Sequence, residues 1–305
     1  MRVGVTGSSG LIGGALVTAL RERGDTVVTF VRPDTVTGPE PCVRWDPASA
    51  YVDDTDLRDV VRLDALVHLA GAGIGDRRWS ESRKAIILSS RVESTRLLDQ
   101  VAQSLPEGVG FLASSSAIGW YGDRGDELLD ESSRRGDGYL ADVCRQWEQA
   151  TAALESRGTP VAHFRSGIVL STRGGALKKQ LPLFRVGLGG AFGSGRQWMS
   201  PISLTDEVRA LQWIIDQQLT GPVNLVAPSP TTNRDFTREL ASALHRRAFL
   251  PVPSALLRAA LGREMANELL LVSQRVTPQR LVDSGFVFRC PDTPSALSEV
   301  LSSHT

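Results

Sequence analysis

The sequence predicts an α/β fold, a doubly wound parallel sheet with a smaller, mostly helical C-terminal lobe. Two observations predict it. Through the first half short apolar runs alternate with helical patterns, and after Gly174 the texture changes to clustered glycines followed by helices. Alternation of that kind means βαβ units, which bury a parallel sheet on both faces. In order, RVGVTG reads as a strand, LIGGALVTALRERG as a helix, TVVTFVR and ALVHLAG as strands, about Ser80 to Ser104 as a long helix, and GVGFLASSS as a strand. A helix from about Gly138 to Arg157 and a strand in PVAHFRSGIVL complete the first half. Beyond VGLGGAFGSGRQW, GPVNLVAP reads as one late strand, and NRDFTRELASALHRR, PSALLRAALG, EMANELLLVSQ and TPQRLVDSG read as helices. The expected division is 1–170 and 171–305, with the chain crossing between the two lobes.

Composition narrows the function classes. In 305 residues Lys+Arg and Asp+Glu both number 34, so no net field draws in a polyanion, and nucleic acid is not an expected partner. Pairs such as Arg77-Arg78 and Lys178-Lys179 read as solvated faces. The three cysteines, Cys42, Cys144 and Cys290, are odd in number and far apart, which suits neither a disulfide framework nor a metal site and fits a reducing cytoplasm. His68, His163, His245 and His304 have no ligand spacing, so no metal is expected. There is no run of 18 apolar residues, and Met1-Arg2 leads straight into a strand without a targeting segment. The expectation is a cytoplasmic protein without membrane contact, taking a small-molecule substrate, with a homodimer left open.

VGVTGSSGLIG places Gly7, Gly10 and Gly13 directly between a strand and a helix. Glycine there allows a tight turn, lets a pyrophosphate approach the backbone and lets helix pack on sheet, while the helix N-terminus, with Ser9, Leu11 and Ile12 around it, offers free N–H groups to the anion. In NAD sites an acidic residue about twenty positions on receives the ribose 2′-hydroxyl. Here TFVRPD ends the second strand with Arg32, whose guanidinium suits an adenosine 2′-phosphate, with Ser8 or Ser9 adding a hydroxyl and Asp34 a second candidate. NADP(H) is therefore expected over NAD(H).

With these motifs the chain resembles the extended and atypical short-chain dehydrogenase/reductases, and more narrowly the SulA-type nucleoside-diphosphate sugar epimerases. VTGSSGLIG, VHLAGAGI, RRWSESRKAIILSSRVESTRLL, SSSAIGWYG, VCRQWE, FRSGIVLS and GLGGAFGSGRQWMS carry the resemblance, with a tail of RRAFLPVPSALLRAALG and SQRVTPQRLVDSGFVFRCP. It implies a Rossmann-type NADP domain with a small lobe over the nicotinamide end. It further implies that Leu69, Ala70 and Gly71 line the adenosine side, that Arg91 reaches cofactor phosphate or the active-site water, and that Arg165-Ser166-Gly167-Ile168 pass the carboxamide. Met199-Ser200-Pro201-Ile202-Ser203 departs from the Trp-Ile-His-like run of relatives, so no role for that aromatic or histidine carries over.

Ser114, Ser115 and Ser116 end a strand at the carboxyl edge of the sheet, where open α/β proteins bind ligands. By the family pattern one of them hydrogen-bonds the reacting oxygen, Ser116 before Ser115, with Ser114 toward the cofactor. Tyr121 follows in WYG. The resemblance also implies a Tyr-x-x-x-Lys pair, and counting back from Trp147-Glu148 puts the tyrosine on or beside Leu140 and the lysine on Cys144 or Val143. The lysine is lost. Tyr139 lies about 100° around the helix from the tyrosine column. A phenol near pKa 10 is only about 0.1% ionised at pH 7, which forgoes up to roughly 4 kcal/mol of base readiness but leaves a proton donor for carbonyl reduction. Cys144 is a second candidate acid or cofactor contact. The reading is an NADP-binding epimerase or reductase with a degenerate site in Ser115, Ser116, Tyr121 and Tyr139, lidded by Gly189 to Met199, acting on a small carbonyl or nucleotide-sugar-like substrate. The alternative is a non-catalytic NADP-binding sensor or partner-binding protein.

Overall fold

The structure, a computed structural model, describes residues 1–248 and 250–302; His304 lies outside them. Eight strands form the central sheet: β1 (Arg2–Thr6), β2 (Thr26–Val31), β3 (Cys42–Asp46), β4 (Tyr51–Val52), β5 (Ala65–His68), β6 (Leu112–Ala117), β7 (Val161–Ser166) and β8 (Gly221–Leu225). Their spatial order is β8-β7-β6-β5-β1-β2-β3-β4, parallel throughout except for the terminal β3–β4 pair. The winding reverses between β1 and β5, and a crevice at the carboxyl ends of the strands belongs at that reversal.

Period-two side chains split the core into two layers. Val27, Ala65 and Phe111 face helices α1 (Leu11–Glu22) and α7 (Leu204–Gln217), whereas Val28, Leu66 and Leu112 face α2 (Asp54–Arg58), α3 (Glu81–Ser104) and, beyond α4 (Tyr139–Gln149), α5 (Ala152–Ser156). On α1 the buried residues are Gly13, Leu16, Val17 and Leu20, one helical stripe. A separate apolar cluster joins α6 (Gly175–Arg185) to the helices at Asn233–Ala243 and Thr293–Ser302. No helix among the described residues is long and apolar enough to cross a membrane.

The differences from the expected elements have local causes. The helix expected over 138–157 divides into α4 and α5 because the Thr151 hydroxyl bonds the Glu148 carbonyl (2.8 Å), a side-chain competitor for the helical ladder. The strand expected in PVAHFRSGIVL ends at Ser166, and Ile168–Leu170 pairs instead with Pro201–Ser203. At the break, a Cβ on Gly167 would lie 2.2 Å from the Ser200 carbonyl oxygen, so only glycine lets the chain pass. EMANELLLVSQ is helical over Arg263–Ala266 and then widens to a π-turn at Asn267–Leu271. Among the elements that carry too little pattern to be expected are β3, in which buried Val43 and Trp45 alternate over only five residues, and α6, inside the glycine-rich stretch.

Candidate functional site

β1 ends at Thr6 and turns sharply into α1. Gly7 has φ +65°, and the Gly10 N–H donates to its carbonyl (2.9 Å). A Cβ on Gly7 would sit 2.8 Å from the Leu69 carbonyl, and one on Gly13 2.2 Å from the Gly7 oxygen, so the turn itself demands glycine at both. A Cβ on Gly10 meets only the Gly7 oxygen, at 3.2 Å. That position is exposed, and its glycine leaves room on the outer side of the turn. Gly10 is the α1 N-cap with no side-chain cap, and no acidic residue occupies the first turn, so the leading N–H groups at Leu11, Ile12 and Gly13 remain open to an anion. Exposed Ser9 borders this opening.

Across the crevice the loop after β5 is fastened to β1. Thr6 Oγ1 accepts the N–H groups of Leu69 (3.0 Å) and Ala70 (3.2 Å), so its own proton goes to His68 Nδ1 (2.8 Å). The imidazole proton then sits on Nε2 and is donated to Ser94 Oγ (3.1 Å), which donates in turn to the Ser90 carbonyl (2.6 Å). Burial holds His68 down at about 3, which keeps it neutral as this chain of bonds requires. Gly71 follows against the side chain of Arg91, whose Nη1 donates to the carbonyls of Ala72 (2.9 Å) and Ile87 (3.0 Å). At the outer rim, exposed Arg32 at the end of β2 is paired with Asp46 of β3. Asp34 is exposed in the turn that follows.

The three serines part ways. Ser114 Oγ is sealed without a partner, the Ser115 hydroxyl makes no hydrogen bond among the described residues, and Ser116 donates to Glu148 Oε1 (2.7 Å). Glu148 also receives Arg165 through Nε (2.8 Å) and Nη2 (2.9 Å), and Arg165 Nη1 donates to the Tyr121 hydroxyl (3.1 Å). That hydroxyl donates to Asn224 Oδ1 (2.8 Å), and the Trp120 ring lies 4.0 Å from the Arg165 guanidinium. Desolvation pulls the Arg165 pKa down, and Glu148 and Tyr121 more than restore it. Arg165 is thus buried, with its guanidinium committed to Glu148 and Tyr121. In the same segment Ser166 donates to Glu207 of α7, and the Gly167 N–H is committed to the Leu225 carbonyl (2.9 Å).

Tyr139 is the first residue of α4. Its hydroxyl donates to the Lys84 carbonyl on α3 (2.8 Å), and its ring stands edge-on to Trp79. The Tyr121 and Tyr139 hydroxyls thus end on different elements. Burial pushes both up to about 12, offset in part by Arg165 for Tyr121 and by Arg91 and Lys84 for Tyr139. Burial, with Glu148 beside it, pushes Cys144 up to about 11, and its thiol points at the Ala117 carbonyl (3.6 Å). All three candidate acids are neutral at pH 7. Beside them a cleft of about 120 Å³ is lined by Gly119, Asp123, Asp137, Leu140, Glu268 and Gln274. The expected lid packs along the segment that borders this cleft: the Trp198 N–H donates to Ser273 Oγ (3.0 Å), the Gln274 N–H donates to the Trp198 carbonyl (3.0 Å), and Trp198 Nε1 donates to Asp126 (2.8 Å).

Among the residues that sequence reasoning did not single out are Glu148, Glu207 and Glu268. Glu148 stands four residues after Cys144 on the same helix, and Glu207 interrupts the apolar stripe of Leu204, Val208 and Leu211, a signal the sequence does carry. Glu268 has no such local mark.

Residues 3–226 match the model of the NAD dependent epimerase/dehydratase family, and residues 252–300 match a domain of unknown function, DUF1731. The chain is 45% identical over 287 residues to an epimerase family protein of Mycobacterium bovis, covering 94% of this chain and 93% of that one. The crystal structure of human epimerase family protein SDR39U1 (isoform 2) with NADPH superposes with a TM-score of 0.87 at 34% identity, over 99% of both chains. A nucleoside-diphosphate sugar epimerase from Corynebacterium glutamicum superposes with a TM-score of 0.77 at 35% identity, over 99% of this chain and 58% of that one.

Proposed function

Because the chain belongs to the NAD dependent epimerase/dehydratase family, we propose that it binds NADP(H) and reduces a small carbonyl compound that carries no diphosphate. The support is an open, uncapped glycine turn together with three candidate proton donors that are all held neutral. The human relative solved with NADPH supports the cofactor, as does a cationic rather than acidic side chain at the end of β2. When bound, the nicotinamide supplies a hydride. The chain's own residues do the rest: the turn N–H groups take the pyrophosphate, Arg32 exchanges Asp46 for the 2′-phosphate, and a neutral tyrosine protonates the reduced oxygen. Tyr139 is the better placed donor, half-buried where Tyr121 is sealed, and its hydroxyl would exchange the Lys84 carbonyl for the substrate oxygen. Asp123, Asp137 and Glu268 around the cleft oppose a diphosphate, which disfavours a nucleotide sugar.

A second reading, a cofactor-holding protein that engages a partner, is favoured by one observation: the Ser116 and Tyr121 hydroxyls are already spent on Glu148 and Asn224. Loss of NADPH absorbance across a panel of carbonyls and nucleotide sugars separates the two. The reductase reading expects turnover with small carbonyls that falls in Tyr139→Phe. NADPH binding at micromolar concentration without turnover of any panel member would establish the second reading instead.

A further inference from the structure

We propose that Arg91 takes, from the neighbouring helix α3, the place that the absent lysine of α4 leaves, and that its unused donors hold the ribose next to the nicotinamide of bound NADP(H). This rests on the cofactor reading above. Of the two positions left without lysine, Val143 and Cys144, both buried, Cys144 faces the Ala117 carbonyl. Directly beyond it on α4, the Trp147 ring carries the Arg91 guanidinium at 4.9 Å. On its other side the guanidinium lies against Gly71, 3.4 Å from where a Cβ would stand, at the crevice end of β5. A cation is thus held between the lysine position and the strand end that borders the cofactor crevice.

The way it is held leaves it work to do. Only Nη1 is spent within the chain, on the two backbone carbonyls of Ala72 and Ile87. Among the described residues Nε and Nη2 meet no acceptor, and neither atom is sealed from solvent. No Asp or Glu among the described residues pairs with Arg91, whereas Arg165 in the same site has Glu148 on Nε and Nη2 and the Tyr121 hydroxyl on Nη1. A desolvated cation without an anion is costly, and it persists where a ligand completes it. Desolvation lowers its pKa, with the fields of Cys144 and Tyr139 acting in the opposite sense. Two adjacent N–H donors in a planar fork match a pair of vicinal oxygens, as a ribose diol presents. Tyr139 remains near 12 with Arg91 beside it, so the cation positions the cofactor rather than ionising the phenol.

The test compares three ligands by titration: NADPH, 2′-phospho-ADP-ribose, which lacks only the nicotinamide ring, and adenosine 2′-phosphate 5′-diphosphate, which keeps the pyrophosphate and lacks the second ribose. In Arg91→Met the first two should weaken at least about tenfold, as loss of a charged hydrogen bond requires, while the third, without the ribose, binds as in the wild type. Adding Cys144→Lys to Arg91→Met should recover part of the loss. Unchanged NADPH affinity in Arg91→Met, or equal weakening of all three ligands, overturns the proposal. Should Arg91→Met be insoluble, Arg91→Gln reads the same contrast. Wild-type protein that binds none of the three would instead overturn the cofactor reading itself.

Discussion

The carboxylate of Glu268 caps the helix that begins at Tyr139. Its two oxygens accept the backbone N–H groups of Tyr139 (2.9 Å) and Leu140 (2.7 Å), where the N-cap residue, Gly138, has no side chain to offer. Gly138 has φ +114°, and a Cβ there would stand 3.1 Å from the Glu268 carboxylate, so the glycine makes the approach feasible. A π-turn late in the chain thereby places a negative charge at the positive end of the α4 dipole, where Asp142 also stands in the first turn. Lys84, paired with Glu264 at 3.0 Å, fastens the same segment to α3.

Glu268→Ala should therefore destabilise α4 specifically, by about 1–3 kcal/mol for a charged cap. Thermal unfolding gives the total, and amide hydrogen exchange at Tyr139 and Leu140 locates it. Unaltered protection of those two amides would contradict the capping role.

Glu207 makes stability depend on pH. It is fully buried with one oxygen unpaired, and burial pushes it from 4.5 up to about 8. Below the unfolded value both states hold the proton and the folded state bears no penalty. As pH rises from 4.5 toward 8 the unfolded chain releases the proton and the folded one keeps it, so stability falls by up to about 1.4 kcal/mol per pH unit and levels off above. Glu207→Gln should remove that slope, gaining on the wild type in urea denaturation at pH 8 far more than at pH 5.

Cofactor preference should turn on the pair at the rim. Arg32→Asp should weaken NADPH binding by about 1.5–3 kcal/mol, with little effect on NADH. Asp46→Asn should act oppositely by releasing Arg32 from its intramolecular partner. Fluorescence titration of both cofactors checks this, and equal wild-type affinities for NADPH and NADH would rule it out.

The two glycines of the turn should behave differently. Gly13→Val forces a Cβ to within 2.2 Å of the Gly7 carbonyl and should lower the melting temperature as well as binding. Gly10→Val meets only a 3.2 Å contact, so a folded protein without NADPH affinity is the expected result. Melting curves and NADPH titrations of both variants distinguish these outcomes.

Features carried by neighbours in sequence were legible there. The turn at Gly7–Gly13 follows from a spacing, and β1, β2, β5 and β6 from apolar runs long enough to be buried on both faces. Tyr139 and Cys144 were legible as residue types, but not the directions in which their hydroxyl and thiol point, since those depend on Lys84 and Ala117 carbonyls supplied by other elements. Glu268 lies 129 residues from the helix it caps, and no local pattern announces a cap donated across that separation. The bonding of Arg165 to Glu148 is likewise a tertiary choice between two directions that a strand-end arginine can take.

The position of β8 matters for how the chain is made. β7 is flanked by β6 on one side and waits for β8 on the other. During synthesis roughly 60 residues separate the two strands, about 3 to 12 seconds at ordinary elongation speeds of 5–20 residues per second. Throughout that interval β7 is a bare parallel edge, rich in Val161, Ala162 and Phe164, and open to the β7 of another nascent copy on the same message. A chain ended near residue 170 never leaves that state, so the first lobe made alone should collect in inclusion bodies, and extension past Leu225 should return it to the supernatant.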